Sequence, residues 1–148
     1  WIESHLQPAV PPAPWPVADI DRVFALPGMP QIIDTLESTD NDWARTTAET
    51  LRHRSPLMLH VVLEQVRRAR TLSLADDLRL ERSLVRRCFH LRPSAASETV
   101  EGIRALAVDK DHAPKWNPAR IEDVTPAQVA AFFESPWAAE AHPLKHLG

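Results

Sequence analysis

"SPLMLHVVLEQVRRAR", residues 55–70, decides the fold class. Ser55 is placed to accept a hydrogen bond from an unpaired N–H of a first helical turn. Pro56 then takes the first helical position, where its missing donor costs nothing. Leu57, Met58, Leu59, Val61, Val62, Leu63 and Val66 leave only His60, Glu64 and Gln65 as early polar breaks, so the predicted helix is apolar most of the way round. We expect it to be the most buried helix, at the centre of a bundle. Arg67, Arg68 and Arg70 fall in its last turn, where cations suit the negative end of the dipole.

The same helical rhythm continues on both sides. Upstream, Ile20, Val23 and Phe24, and then Ile32, Ile33 and Leu36, give two short amphipathic helices near 17–26 and 29–38, separated by Pro27 and Gly28. A third is expected from Asp40 as its cap, carrying Trp43, Ala44, Ala48 and Leu51. Downstream, Ser73 and Asp76 resemble a capping box for a helix that should turn Leu74, Leu78, Leu84, Val85, Cys88 and Phe89 inward, with Pro93 ending it. A helix over 95–108 should carry Val100, Ile103, Leu106 and Ala107 on its buried stripe. Gly102 within it costs about 1 kcal/mol relative to alanine, which predicts a close approach there. Thr125-Pro126-Ala127-Gln128 opens a further helix through Val129, Phe132 and Phe133, and Ser135-Pro136 repeats the start signal. No alternating β-branched run competes, so the class is all-α, with residues 17–148 as the helical unit. Residues 7–16, "QPAVPPAPWP", should run extended, making 1–16 a proline-rich connector.

Composition narrows the partners. Seventeen Lys and Arg against twenty Asp and Glu give a net charge of −3 without a long basic tract, which argues against nucleic acid. No apolar run reaches the roughly 20 residues of a membrane span. The single cysteine, Cys88, cannot form an intrachain disulfide, and a reducing cytoplasmic setting is expected, or the mitochondrial matrix for a eukaryotic source.

Chemistry-bearing patterns are sparse. Cys88 and His90 stand two apart, which on a helix points them to different surfaces, so a core thiol is the expectation. His142 and His146 have the spacing of helical metal ligands, but Pro143 between them and the lack of a third ligand favour an ordinary chain end, and no metal site is predicted. Asp109, Lys110, Asp111 and His112 read as a solvated helix end. With only Gly28, Gly102 and Gly148, neither a nucleophile elbow nor a phosphate-cradling loop can be built.

One resemblance absorbs the polar stretch after residue 108. Ser55-Pro56 opening an apolar helix, "LRLERSLVRRC" at 78–88, "EGIRALAVDKD" at 101–111, Pro114-Lys115-Trp116, Pro118 and "IEDVT" at 121–125 follow one another as in the C-terminal part of the 3-hydroxyisobutyryl-CoA hydrolase family. That family belongs to the crotonase, or enoyl-CoA hydratase/isomerase, superfamily. "RPSAAS" at 92–97 departs from it, and Thr99 or Val100 stands where the family has an aromatic residue.

The resemblance implies a helical segment that packs on an upstream crotonase core, the core bringing the oxyanion hole and the catalytic carboxylates. No catalytic residue is then expected in this chain. It implies hydrolysis of 3-hydroxyisobutyryl-CoA in valine breakdown, with no cofactor beyond the CoA thioester substrate, and a homo-oligomer. Trp116 would anchor a proline-fixed loop, and Lys110 and Lys115 would meet the CoA phosphates. The lysine of related hydratases that resembles Lys110 falls at Asp109 when counted from the Glu-Gly pair. Pairing of both lysines with Asp109 and Asp111 is the alternative. A hydratase or isomerase relative, and a free-standing helical interaction module, are the other readings of the whole.

Overall fold

Start signals place the helices where the chain's hydroxyl and amide side chains can cap them. The computed structural model describes residues 15–147, and the proline-rich residues 1–14 lie outside them. Helices α1 (Val17–Phe24) and α2 (Met29–Ser38) form a corner, and α3 (Asp42–Arg52) returns along α2. Asn41 rather than Asp40 caps α3, its Oδ1 accepting from Ala44 N at 2.7 Å. Ser55 caps α4 (Pro56–Ala69) by accepting from Met58 N, and Ser73 caps α5 (Leu74–His90) by accepting from Asp76 N, both at 3.2 Å. Asp76 answers through its carboxylate, which accepts from the Ser73 hydroxyl at 2.7 Å. Thr125 and Gln128 form the full reciprocal box at the start of α7 (Pro126–Phe133). Ser135 bonds only within its own turn, to both backbone groups of Trp137, and a single 3₁₀ turn (Ala139–Ala141) follows where a helix was expected.

Every regular element among the described residues is helical, in agreement with the all-α expectation. Two cores result. The first gathers Val23, Met29, Ile32, Ile33, Leu36, Ala44, Ala48 and Ile121, and the second Leu57, Val61, Leu84 and Phe132. Helix α4 stands between them, giving Leu59 and Leu63 to one and Leu57 and Val61 to the other. It is nevertheless not the most buried helix. Val62 and Val66 are half exposed, whereas α2 buries Met29, Ile32, Ile33 and Leu36. A helix apolar all round needs neighbours all round, and α4 has none over the stripe of Val62 and Val66.

Basic residues at the end of α4 do more than face a dipole. Arg67 donates to the carbonyls of Leu26 and Pro27, tying α4 to the corner between α1 and α2. Arg68 pairs with Glu64 and lies 4.1 Å over the Phe133 ring. His60 Nε2 meets the Ile121 carbonyl at 3.1 Å, and burial lowers its pKa, which favours the neutral ring as donor.

The expected inward face of α5 is largely wrong. Leu84 is buried, but Leu74 is 76% exposed, and Val85 and Phe89 are also open to solvent. The helix has two apolar stripes, and only the one meeting α4 and α7 is covered.

Candidate functional site

The chain from Ser97 to Pro118 holds the clearest departure from a plain bundle. Ser97 caps α6 (Glu98–Ile103), accepting from Val100 N at 3.4 Å while donating to the Cys88 carbonyl at 2.7 Å. The helix then widens into a π-turn (Arg104–Val108) that ends with Asp109 N on Arg104 O at 2.8 Å.

Sequence periodicity assigned the wrong face here. Glu98, Glu101 and Ala105 are buried, while Ile103, Leu106 and Val108 are exposed, the last two by 65% and 69%. Burying two carboxylates is tolerable only if their oxygens are fully used. Glu98 Oε1 accepts from Asn117 N at 2.9 Å, and its Oε2 accepts from the Ser55 hydroxyl. Arg92 completes the corner, donating to the Asn117 carbonyl with Nη1 3.8 Å from Glu98. Glu101 Oε1 accepts from Lys115 N at 2.6 Å. One helical turn of acids thus holds the backbone of residues 115–117 from beneath.

Arg104 holds the rest. Its Nε and Nη2 donate to the two Glu101 oxygens at 2.9 and 2.8 Å, and Nη1 donates to Asp109 and Asp111 at 2.6 and 2.7 Å. Nη2 also reaches the Ala113 carbonyl at 3.1 Å, and Asp111 accepts from Ala113 N at 2.9 Å. Lys110 and His112 sit in the left-handed region with φ of 56° and 54°, a conformation that side chains other than glycine adopt only when their surroundings enforce it. Asn117-Pro118 is a cis peptide.

Charge states follow from these bonds. The Arg104 guanidinium, and after it the Lys115 N–H, holds the Glu101 carboxyl at about 2. The Ala113 N–H and then Arg104 keep Asp111 below the usual carboxylate range, and Glu101, Asp111 and Asp109 together raise Arg104. Since the folded pKa of Glu101 lies below its unfolded value, its share of stability is complete above the ordinary carboxylate range and is lost as pH falls toward 2. The Lys115 amide-proton shift, followed by NMR, should therefore titrate with a midpoint near 2. A midpoint at about 4 to 5, where free carboxylates titrate, would contradict the clamp.

Among residues singled out in the sequence, Gly102 and Trp116 come together. A Cβ built on Gly102 would stand 3.3 Å from the indole Cη2, so the missing side chain is what lets the ring lie on α6. Lys110 and Lys115 are both exposed, on the loop that the acids and Arg104 hold. Neither forms an ion pair with Asp109 or Asp111, whose carboxylates are taken by Arg104. The loop is not the freely solvated helix end expected from its composition. Beside it runs a groove of about 840 Å³ lined by Arg54, Ser55, Gly102, Ile103, Leu106 and Trp116, among others.

Other pairings are unsuited to bond breaking. Ser83 Oγ lies 3.4 Å from His142 Nε2, yet Leu144 N–H donates to Nδ1 at 3.0 Å, which puts the ring proton on Nε2, where it faces the Arg79 carbonyl at 3.2 Å. Nε2 is then a donor and cannot take the Ser83 proton. His142 is buried against α5 while His146 is exposed, so that pair is not brought together either. Among the described residues no three His, Cys, Asp or Glu side chains converge as metal ligands. Burial pushes the Cys88 thiol up, and His90 is exposed on the same helix. No helix among the described residues is long and apolar enough to cross a membrane.

Sequence reasoning missed Glu98, Glu101 and Arg104. Their signal was present as acids and a base repeating every three residues, a pattern that puts them on one helical face.

Among the described residues the most elaborate feature is thus a clamped loop beside an exposed apolar face, and comparison with known proteins supplies the family. Residues 3–133 match the enoyl-CoA hydratase/isomerase family, and the chain belongs to it. The Arabidopsis thaliana protein named probable 3-hydroxyisobutyryl-CoA hydrolase 3 is 36% identical over 119 residues, which are 78% of this chain and 31% of that protein. The mitochondrial 3-hydroxyisobutyryl-CoA hydrolase of Dictyostelium discoideum is 37% identical over 120 residues, 80% of this chain and 30% of that one. The crystal structure of an enoyl-CoA hydratase from Rhodobacter sphaeroides 2.4.1 superposes with a TM-score of 0.74 at 32% identity, covering 90% of this chain and 40% of that chain. The chain therefore spans less than a third of the length of these curated relatives.

Proposed function

We propose that the chain is the helical C-terminal part of an acyl-CoA thioester hydrolase acting on 3-hydroxyisobutyryl-CoA, and that it shapes and covers the acyl-CoA site without breaking the thioester itself. In this reading residues 1–16 connect to a crotonase core and 17–148 form the helical unit packed on it. The core polarises the thioester carbonyl with backbone N–H groups. Lys110 and Lys115, on the clamped loop, meet the CoA phosphates.

The observation that carries the reading is the inverted face of α6. Two acids and an arginine fix a loop from beneath, while Ile103 and Leu106 are turned outward along the groove and Val108 is exposed after them. Apolar side chains left open on that scale mark a surface that something else covers. A free-standing module would have no reason to leave them bare. The names of the relatives favour hydrolysis as the reaction.

Hydratase or isomerase chemistry is the second reading, favoured by the superposition on the Rhodobacter enzyme. Assay of the complete enzyme separates the two. Thiol released from 3-hydroxyisobutyryl-CoA, with no loss of enoyl absorbance from an enoyl-CoA, is the expected result. Hydration of the enoyl-CoA without thiol release would overturn the hydrolase assignment.

A further inference from the structure

We infer that Arg104 is a positioning residue of this site, occupying Asp109 and Asp111 so that Lys110 and Lys115 stay free for the CoA phosphates. The inference rests on the reading of the loop as part of an acyl-CoA site.

A guanidinium has five N–H donors, and all five are used here. Two go to Glu101, one each to Asp109 and Asp111, and one to the Ala113 carbonyl. The cluster holds three acids, Glu101, Asp109 and Asp111, and three bases, Arg104, Lys110 and Lys115. Formal charge therefore balances, and whichever base binds the aspartates decides which bases are left over. In the structure the binder is Arg104, which stands a quarter exposed beneath the loop, and the bases left over are the two exposed ammoniums.

Backbone geometry enforces that choice. The π-turn brings Asp109 back onto Arg104 through the Asp109 N–H, and His112 N donates to the Ala105 carbonyl at 3.1 Å. With Lys110 and His112 both left-handed, the loop curls back over the turn, and Asp109 and Asp111 converge on the same nitrogen of Arg104. A lysine at 104 would have a single ammonium with three donors and no planar fork, too few to satisfy three carboxylates and a carbonyl. Without the guanidinium, the loop's own Lys110 and Lys115 are alternative partners for Asp109 and Asp111, and Lys115 already acts on Asp111 through its charge. The ammoniums would then be bound within the loop.

Two variants, Arg104→Gln and Arg104→Lys, test this in two settings, with helix content checked by circular dichroism. In the 148-residue chain, hydrogen exchange at the Ala113 amide, which Asp111 holds, should rise at least about tenfold in Arg104→Gln. In the complete enzyme, KM for the CoA thioester should rise about fivefold, while kcat and the KM for an N-acetylcysteamine thioester, which lacks the nucleotide, stay unchanged. Arg104→Lys should fail to restore the KM. Unchanged Ala113 exchange, or full rescue by lysine, overturns the inference alone. Equal KM for the two thioesters in the unaltered enzyme overturns the acyl-CoA reading of the lysines, and the inference with it.

Discussion

Replacing Glu98 with alanine is expected to destabilise the chain by about 3 kcal/mol, because a hydrogen bond to a charged group contributes roughly 1.5 to 3 kcal/mol and a buried donor left without its acceptor adds its own penalty. Glu98 is 6% exposed and joins three parts of the chain. Its Oε2 accepts from the hydroxyl of Ser55, the residue that caps α4, and its Oε1 accepts from the N–H of Asn117. Arg92 stands beside the same carboxylate with only a fifth of its side chain exposed. Alanine would strand the buried Ser55 hydroxyl and remove the acceptor of the Asn117 N–H and the counter-charge beside Arg92. Glutamine keeps one acceptor oxygen and turns the other position into a donor facing the Ser55 hydroxyl or the Asn117 N–H, so Glu98→Gln should cost about half as much. Urea unfolding of the three proteins measures the difference. A loss below about 1 kcal/mol for Glu98→Ala would mean that the loop is held by other contacts and that the buried carboxylate is incidental.

Where local chemistry carried the signal, the sequence was readable. Ser55, Ser73 and Thr125 announce α4, α5 and α7 because each cap is a bond between residues three apart, and no distant part of the chain has to be known. The short apolar faces of α1 and α2 were readable for the same reason. Faces were harder to assign. On α5, α6 and the π-turn after it the apolar residues were read inward, and Leu74, Val85, Ile103 and Leu106 turned out to be exposed. Periodicity says which residues share a stripe but not what the stripe meets, and a stripe reserved for a partner looks the same as one reserved for the core.

The site was half readable. Trp116 was expected as an anchor and Gly102 as a close approach, and they prove to be each other's partner. The acids beneath the loop were missed because Glu98 and Glu101 bond to backbone amides 19 and 14 residues away, which no local pattern encodes. Residues that break a local rule are expected where a structure is shaped for function, and α6 breaks it by burying its charges and exposing its apolar side chains.

The chain alone should show no thioester hydrolysis. Hydrolysis by acyl transfer needs an activated nucleophile or water and donors aimed at the developing oxyanion. Among the described residues, Ser55, Ser83 and Cys88 are unsuited to act as nucleophiles. Ser55 donates to Glu98 and accepts from Met58 N, and Ser83 faces the protonated nitrogen of His142 and donates to the Arg79 carbonyl. Cys88 is partly buried with its pKa raised, which disfavours the thiolate. Glu101, beneath the loop, is held at about 2 by Arg104 and the Lys115 N–H and is a poor base. What the described residues offer is a fixed loop, two exposed ammoniums and an apolar face, and in the proposed reading these act on binding and not on the reacting bond. Thiol release from 3-hydroxyisobutyryl-CoA, measured for the pure 148-residue chain beside the complete enzyme at equal molar concentration, tests this directly. Turnover by the complete enzyme and none above background by the chain is the expected result; turnover by the chain at the rate of the complete enzyme would overturn the assignment of the chemistry to other residues.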